Sequence, residues 1–248
     1  MNVVIDNGYY ATKVYYPSKF YSFRSKIQSV NYPLNHSKTH YLVYNSHSYL
    51  VGEGAEEVDI NLNKSNSKLH YLATLTGLGL LNHSSFNLVV NIPINLYNQS
   101  NKESYENHLR STTPIDFFLN NKPISITIPK VVVFPQCYPI TFVNSTPSIF
   151  GILDIGGLTA QGCICEGSNL IYSSIFTVNL GTLVFFNKIK NILNAEYSLN
   201  IQNYELESII KDGLALDKDN SLKIISSICN SHIEQIIQNM KLSGWNIE

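Results

Sequence analysis

Two short segments carry residue types suited to a charged ligand. Asp6-Asn7-Gly8 follows the apolar run Val3-Val4-Ile5, and Asp154-Ile155-Gly156-Gly157 follows Phe150 to Leu153. After each turn the strand pattern resumes, at Ala11 to Tyr16 and at Ala160 to Cys165. A glycine turn between strands exposes backbone N–H groups with no side chain in the way, and such donors suit phosphate oxygens. A carboxylate at the strand end suits Mg²⁺, held through water because this ion sheds its hydration shell reluctantly. Two such units would clamp a metal-bound triphosphate from opposite sides. Either turn alone reads more readily as an ordinary hairpin; the pair, with strands on both sides, is more specific.

The elements that must position these turns follow from apolar spacing. Leu69, Leu72, Leu75, Leu78 and Leu81 predict a helix over 67–82 that packs one face. Phe86 to Ile92 reads as a buried strand closed by Pro93, residues 99–110 as a polar helix, and Ile124–Ile128 and Val131–Phe134 as strands. Segment 17–60 is rich in Tyr, Ser and Asn with short alternating runs, the pattern of a small satellite of strands and loops. Beyond Gly181 the chain turns helical, at Thr182–Leu193, Tyr204–Lys211 and Ser221–Met240, and proline is absent after Pro147.

Composition narrows the possibilities. The 248 residues are 44% hydrophobic and 14% charged, enough for one large domain or two small ones. A net charge of −1 argues against a broad nonspecific nucleic-acid surface, and no DNA-binding module is recognisable. The first residues reach Asp6 at once, unlike a secretion signal. No apolar run approaches the roughly 20 residues needed to cross a bilayer. A soluble, cytoplasmic protein is expected, without membrane contact. Cys137, Cys163, Cys165 and Cys229 lack the spacing of a zinc site and read as buried reduced thiols.

The segment Val4-Ile5-Asp6-Asn7-Gly8-Tyr9-Tyr10-Ala11-Thr12-Lys13 resembles the first phosphate motif of the actin-like ATPase superfamily, nearest its plasmid-segregating ParM branch. Leu153-Asp154-Ile155-Gly156-Gly157-Leu158-Thr159 resembles the second. Supporting landmarks follow in order: Val51-Gly52-Glu53-Gly54-Ala55, the leucine helix, Asn91-Ile92-Pro93-Ile94, Lys130 to Gln136, and Val178-Asn179-Leu180-Gly181. The resemblance covers essentially the whole chain. It implies an α/β, actin-like (ribonuclease H-like) fold of two lobes, 1–145 and 146–248, with a nucleotide cleft between them.

By position, the resemblance implies that Asp6 and Asp154 hold hydrated Mg²⁺. It places Lys13 on the β- and γ-phosphates of ATP or GTP, with Gly8, Gly156, Gly157 and Thr159 contacting phosphates. Gln136 falls where the family orients the attacking water, a task for a polar group. Gly181 falls near the nucleoside, and Glu205 or Glu207 toward the ribose. From the residues alone, Lys13 is equally a solvated strand lysine, Gln136 has the plainer alternative of a polar residue after Pro135, and the two glutamates read better as helix surface.

Two departures stand out. Leu158-Thr159-Ala160-Gln161 has fewer hydroxyls than the family offers there, and no acid. In relatives the helix matching Ser221–Met240 leads into a buried strand, a Gly-Gly-Gly turn on adenine and a closing helix. The 248 residues read as a form without those elements, for which an exposed sheet edge with an uncovered apolar surface is expected. The resemblance implies a Mg-ATP- or Mg-GTP-hydrolysing filament protein that self-associates and reaches DNA through an adaptor. The alternative is a truncated or split relative that does not hydrolyse nucleotide alone and needs a partner chain. A sugar or acetate kinase of the same superfamily would require a longer chain.

Overall fold

The computed structural model describes residues 1–17, 19–31, 39–59, 61, 63–137, 148–167 and 169–247. The chain forms two compact units, Met1–Val143 and Asn144–Glu248. The boundary expected at 145/146 lies outside the described residues.

In the first unit β1 (Asn2–Asn7), β2 (Ala11–Tyr16) and β3 (Lys19–Arg24) form an antiparallel meander. β1 also pairs in parallel with β7 (Ser85–Ile92), which pairs in parallel with β9 (Lys122–Pro135). β4 (Ile27–Ser29), β5 (Thr39–Tyr44), β6 (His47–Gly52) and β8 (Ser111–Leu119) complete a nine-stranded order, β3-β2-β1-β7-β9-β8-β5-β6-β4. Lys19–Arg24 therefore joins the sheet of the first turn instead of pairing with the other strands of segment 17–60.

Sequence spacing anticipates two strands at 124–128 and 131–134, whereas one continuous strand spans them. β9 changes partner near its Pro129: its first half pairs antiparallel with β8, its second half parallel with β7. β8 itself escapes the pattern reading because Pro114 and Asp116 interrupt its apolar run. The local sign of it is Asn120-Asn121, whose φ of 50° and 64° make the turn of a tight hairpin.

Helix α1 (Lys68–Gly79) starts where Ser67 Oγ accepts from the His70 N–H, a side-chain cap. It is buried on more than the one face that leucine spacing indicates: His70, Thr74, Thr76 and Gly77 are buried beside the leucines. Thr74 and Thr76 satisfy their hydroxyls on the carbonyls of His70 and Leu72, at 2.8 and 2.9 Å. α1 packs against β1 and β2 and also against β5 and β6. α2 (Gln99–Leu109) buries only Tyr105 and Leu109 and packs against β9.

The second unit has an antiparallel three-stranded sheet of β10 (Ile149–Ile155), β11 (Ala160–Glu166) and β12 (Asn169–Val178), with β10 and β12 at its edges. Helices α3 (Thr182–Tyr197), α4 (Leu206–Asp212) and α5 (Lys218–Leu242) follow. Ile189, Leu193, Ile201, Leu206, Leu214, Ile225 and Ile228 form the helical core. Further along α5, Ile236 and Met240 pack with Ala160 and Phe176 of the sheet. Trp245 lies over the sheet, where a Cβ on Gly151 or Gly162 would come within 2.6 or 3.1 Å of its ring. No helix among the described residues is long and apolar enough to cross a membrane.

Candidate functional site

Parallel strands direct their carboxyl ends to one edge of a sheet, where ligands of open α/β sheets bind. In the first unit Asp6 lies near that end of β1, Asn91 near that end of β7, and Gln136 just beyond β9. The Gln136 N–H donates to the Ile92 carbonyl at 2.8 Å, so the residue is held in register with its neighbour strand.

The first turn is closed by the Gly8 N–H, which donates to the Ala11 carbonyl at 3.1 Å. A Cβ at Gly8 would lie 2.8 Å from that same oxygen, so the turn requires glycine. Asn7 is fully buried, and its amide donates to Thr74 Oγ1 at 2.8 Å and Tyr105 Oη at 3.3 Å. The turn is thereby tied to α1 and α2. Asp6 Oδ1 accepts from Asn91 Nδ2 at 2.9 Å, and Asp6 Oδ2 lies 3.5 Å from Lys13 Nζ. Lys64 Nζ donates to both the carbonyl and Oδ1 of Asn91, each at 3.2 Å.

Beneath the turn, the Tyr9 ring meets the His70 ring edge-on at 5.2 Å. His70 Nδ1 lies 2.8 Å from Ser67 Oγ, which donates to Asp59, while Nε2 is buried with no partner among the described residues. Burial, with the Lys64 charge second, pushes the His70 imidazole down to about 3. It is therefore neutral at ordinary pH. Tyr9 and Tyr105 are held above the usual phenol range chiefly by burial.

The second turn repeats the first. The Gly156 N–H donates to the Thr159 carbonyl at 2.8 Å, and Asp154 sits opposite Gln161 as Asp6 sits opposite Lys13. Gln161 Nε2 donates to Asp154 Oδ2 at 3.1 Å. Thr159 and Gln161 are buried. The N-terminus of α3 docks on this turn: the N–H groups of Gly181, Thr182 and Leu183 donate to the carbonyls of Leu158, Gly156 and Gly157 at 3.1, 2.9 and 2.8 Å. A Cβ on Gly181 would lie 2.5 Å from the Gly157 oxygen. Gly156, Gly157, Thr159 and Gly181 thus come together, and Asp154 stands at the end of the strand that leads into them.

Glu207 lies on α4 and Glu205 caps its start, where Glu205 Oε2 accepts from the Gln202 N–H at 2.7 Å. Cys163 and Cys165 are buried on one face of β11 with sulfurs 4.0 Å apart. Burial, with Cys165 second, pushes the Cys163 thiol up to about 12, which keeps it protonated and unreactive. Sequence reading missed Asn91 and Lys64 as parts of the site. Asn91 could have been found from its place at the end of a strand beside β1, but nothing in the local sequence of Lys64 marks it.

Each turn, taken within its own unit, offers groups that fit hydrated Mg²⁺ and phosphate. Asp6 and Asp154 offer hard carboxylate oxygens, and among the described residues no group of three His, Cys, Asp or Glu could enclose an ion directly. Among the described residues, the N–H groups of Tyr9, Gly157 and Leu158 make no hydrogen bond, which leaves donors at both turns.

A family model for the N-terminal domain of actin-like proteins matches residues 4–138, more than half of the chain. The chain belongs to the actin-like proteins. No curated protein matches it. Solved structures of the same fold include the archaeal actin homolog Ta0583 in complex with ADP. It shares 13% identity at a TM-score of 0.78, over 98% of this chain and 83% of that chain. AlfA from B. subtilis plasmid pLS32, in its filament, shares 18% identity at a TM-score of 0.62 over 80% of each chain. Apo psk41 ParM shares 16% at a TM-score of 0.66, over 99% of this actin-like chain and 81% of its own. At these identities the likeness shows an actin-like fold.

Proposed function

We propose that this actin-like protein is a nucleotide-dependent filament protein of the plasmid-segregation kind, which binds and hydrolyses Mg-ATP or Mg-GTP. The observation that carries the reading is the repeated hairpin: an aspartate, a glycine whose N–H closes the turn three residues on, and a partner opposite the aspartate. It occurs in both units, and among the described residues hydrogen-bond donors are left over at both turns. The ADP complex of Ta0583 and the filament of AlfA support the same reading.

In this reading Asp6 and Asp154 would each accept from water bound to Mg²⁺. Lys13, about half-exposed, turns its ammonium to the β- and γ-phosphates. The free N–H groups of Tyr9, Gly157 and Leu158 hold phosphate oxygens. Thr159 is buried, so its contribution passes to the backbone of its turn. Gln136 orients the attacking water without needing to act as a strong base. When bound, Mg²⁺ neutralises the phosphate charge that the residues alone cannot offset. Subunits associate head to tail, an arrangement that does not close and therefore extends. An adaptor carries the link to DNA, and the protein acts in the cytoplasm.

A second reading, in which a separate polypeptide must bind before turnover, rests on β10. This edge strand leaves Ile149, Leu153 and Ile155 exposed at 59, 42 and 46%. Turnover by the purified chain alone argues against it.

The deciding experiment is titration with a fluorescent ATP or GTP analogue, with and without Mg²⁺. Saturable, metal-dependent binding is expected, and Asp154→Ala should abolish it. Gln136→Ala should bind normally and turn over at least about a hundredfold more slowly. Metal-independent binding, or equal turnover in Gln136→Ala, overturns the corresponding assignment.

A further inference from the structure

We propose that Lys64 is a positioning residue for Asp6, acting through the side-chain amide of Asn91. This rests on the reading of Asp6 as a residue of the hydrated metal.

Lys64 opens a 3-10 turn (Lys64–Asn66) whose start is capped by the Asn63 side chain. It is 1% exposed, against 44% for the Lys13 side chain. A buried ammonium must find acceptors, and two of its partners are the carbonyl oxygen and Oδ1 of Asn91. An ammonium can only donate, whereas a carboxylate can only accept. Asn91 lies between one of each. Its oxygen must face Lys64 and its NH₂ must face Asp6, as found at 3.2 and 2.9 Å. The reversed amide would set NH₂ against ammonium and oxygen against carboxylate, two repulsive contacts. Lys64 therefore decides which way Asn91 points, and Asn91 fixes Oδ1 of Asp6.

The two lysines divide the work by burial. Lys13 meets Asp6 Oδ2 at a loose 3.5 Å from a half-exposed position and can leave for a phosphate. Lys64 cannot leave, and Asn91 keeps the carboxylate in place when Lys13 moves. A group that orients a metal-bound carboxylate through one hydrogen bond is worth about tenfold or more in metal affinity.

The test uses the full chain carrying Lys64→Met, with Lys64→Arg and Asn91→Asp beside it. Without any ligand, nitrogen-15 NMR reads the Asn91 side-chain amide. Lys64→Met should shift this resonance and speed its proton exchange, and Lys64→Arg should leave both near wild type. With nucleotide, the Mg²⁺ concentration for half-maximal binding should rise about tenfold in Lys64→Met. Should Lys64→Met fail to fold, Asn91→Asp decides. It keeps an acceptor for Lys64 but removes the donor to Asp6, so its Mg²⁺ requirement should also rise about tenfold. An unchanged Asn91 resonance in Lys64→Met, or an unchanged Mg²⁺ requirement in Asn91→Asp, overturns the proposal. If wild type binds no nucleotide, the functional reading fails while the ligand-free NMR arm still decides the role of Lys64.

Discussion

The two glycine hairpins share a backbone plan and differ in how they are held. At the first, side chains do the holding: Asn7 reaches Thr74 and Tyr105, and Asp6 is gripped by Asn91 on one oxygen and faced by Lys13 on the other. At the second, the backbone does it: three N–H groups at the start of α3 close on the carbonyls of the turn, and Asp154 receives an amide from buried Gln161. A turn held by side chains can tune charge around its carboxylate. A turn locked to a helix by its own peptide groups leaves no room for a side chain at Gly181. Similar sequences thus produce an adjustable site in one unit and a rigid one in the other.

The rigid site should break hardest. In Gly181→Ala the new methyl meets the Gly157 oxygen at 2.5 Å, and neither backbone segment can yield without losing the helix contacts. A loss of about 3 kcal/mol is expected. The single tryptophan, Trp245, lies in the second unit and reports it by fluorescence in a urea titration. An unchanged midpoint would mean that the α3 docking is looser than its geometry.

Acid should separate the two regions next. His70 packs under the first hairpin with a folded value near 3, below its unfolded value of 6.5. Its contribution to stability is complete above pH 6.5 and is lost as pH falls from there toward 3, at about 1.4 kcal/mol per unit. His70→Phe should remove that share of the slope. Urea unfolding of both proteins at pH 7 and pH 5 measures it, and equal slopes would show that His70 opens to water before the fold does.

The smallest effects lie at the residues facing the two carboxylates. Lys13→Gln makes the first hairpin like the second. It should change stability by less than about 0.5 kcal/mol because the pair is loose, at 3.5 Å, and partly exposed, while weakening nucleotide binding about tenfold. Gln161→Ala should do the reverse, costing about 1–2 kcal/mol as Asp154 loses a buried donor. If both variants lose stability alike, the contrast between the hairpins fails.

Both hairpins, the leucine helix, the strand before Pro93 and the helices after Gly181 were legible in the sequence. Each depends on local chemistry: glycine where a side chain would collide, apolar residues at the period of their element, and Pro93 ending its strand. Strand β12 was not legible, because Ser173 and Ser174 break its apolar run. In the fold, Ser174 Oγ accepts from the Ile164 N–H at 2.8 Å and donates to the Ile171 carbonyl at 2.6 Å, filling the place of a ladder bond near an irregular register. A polar residue that looks like a break is there a repair.

By itself, the sequence determined where the chain turns, which aspartates stand at those turns and which residues are candidates for phosphate. The tertiary structure alone decided how the Oδ1 of Asp6 is held. Asn91 is 85 residues from Asp6, and Lys64 a further 27 from Asn91. Pattern within a window constrains only neighbours along the chain, whereas a hydrogen bond depends on distance in space. Parallel pairing of β1 with β7 closes the first gap and the burial of Lys64 closes the second.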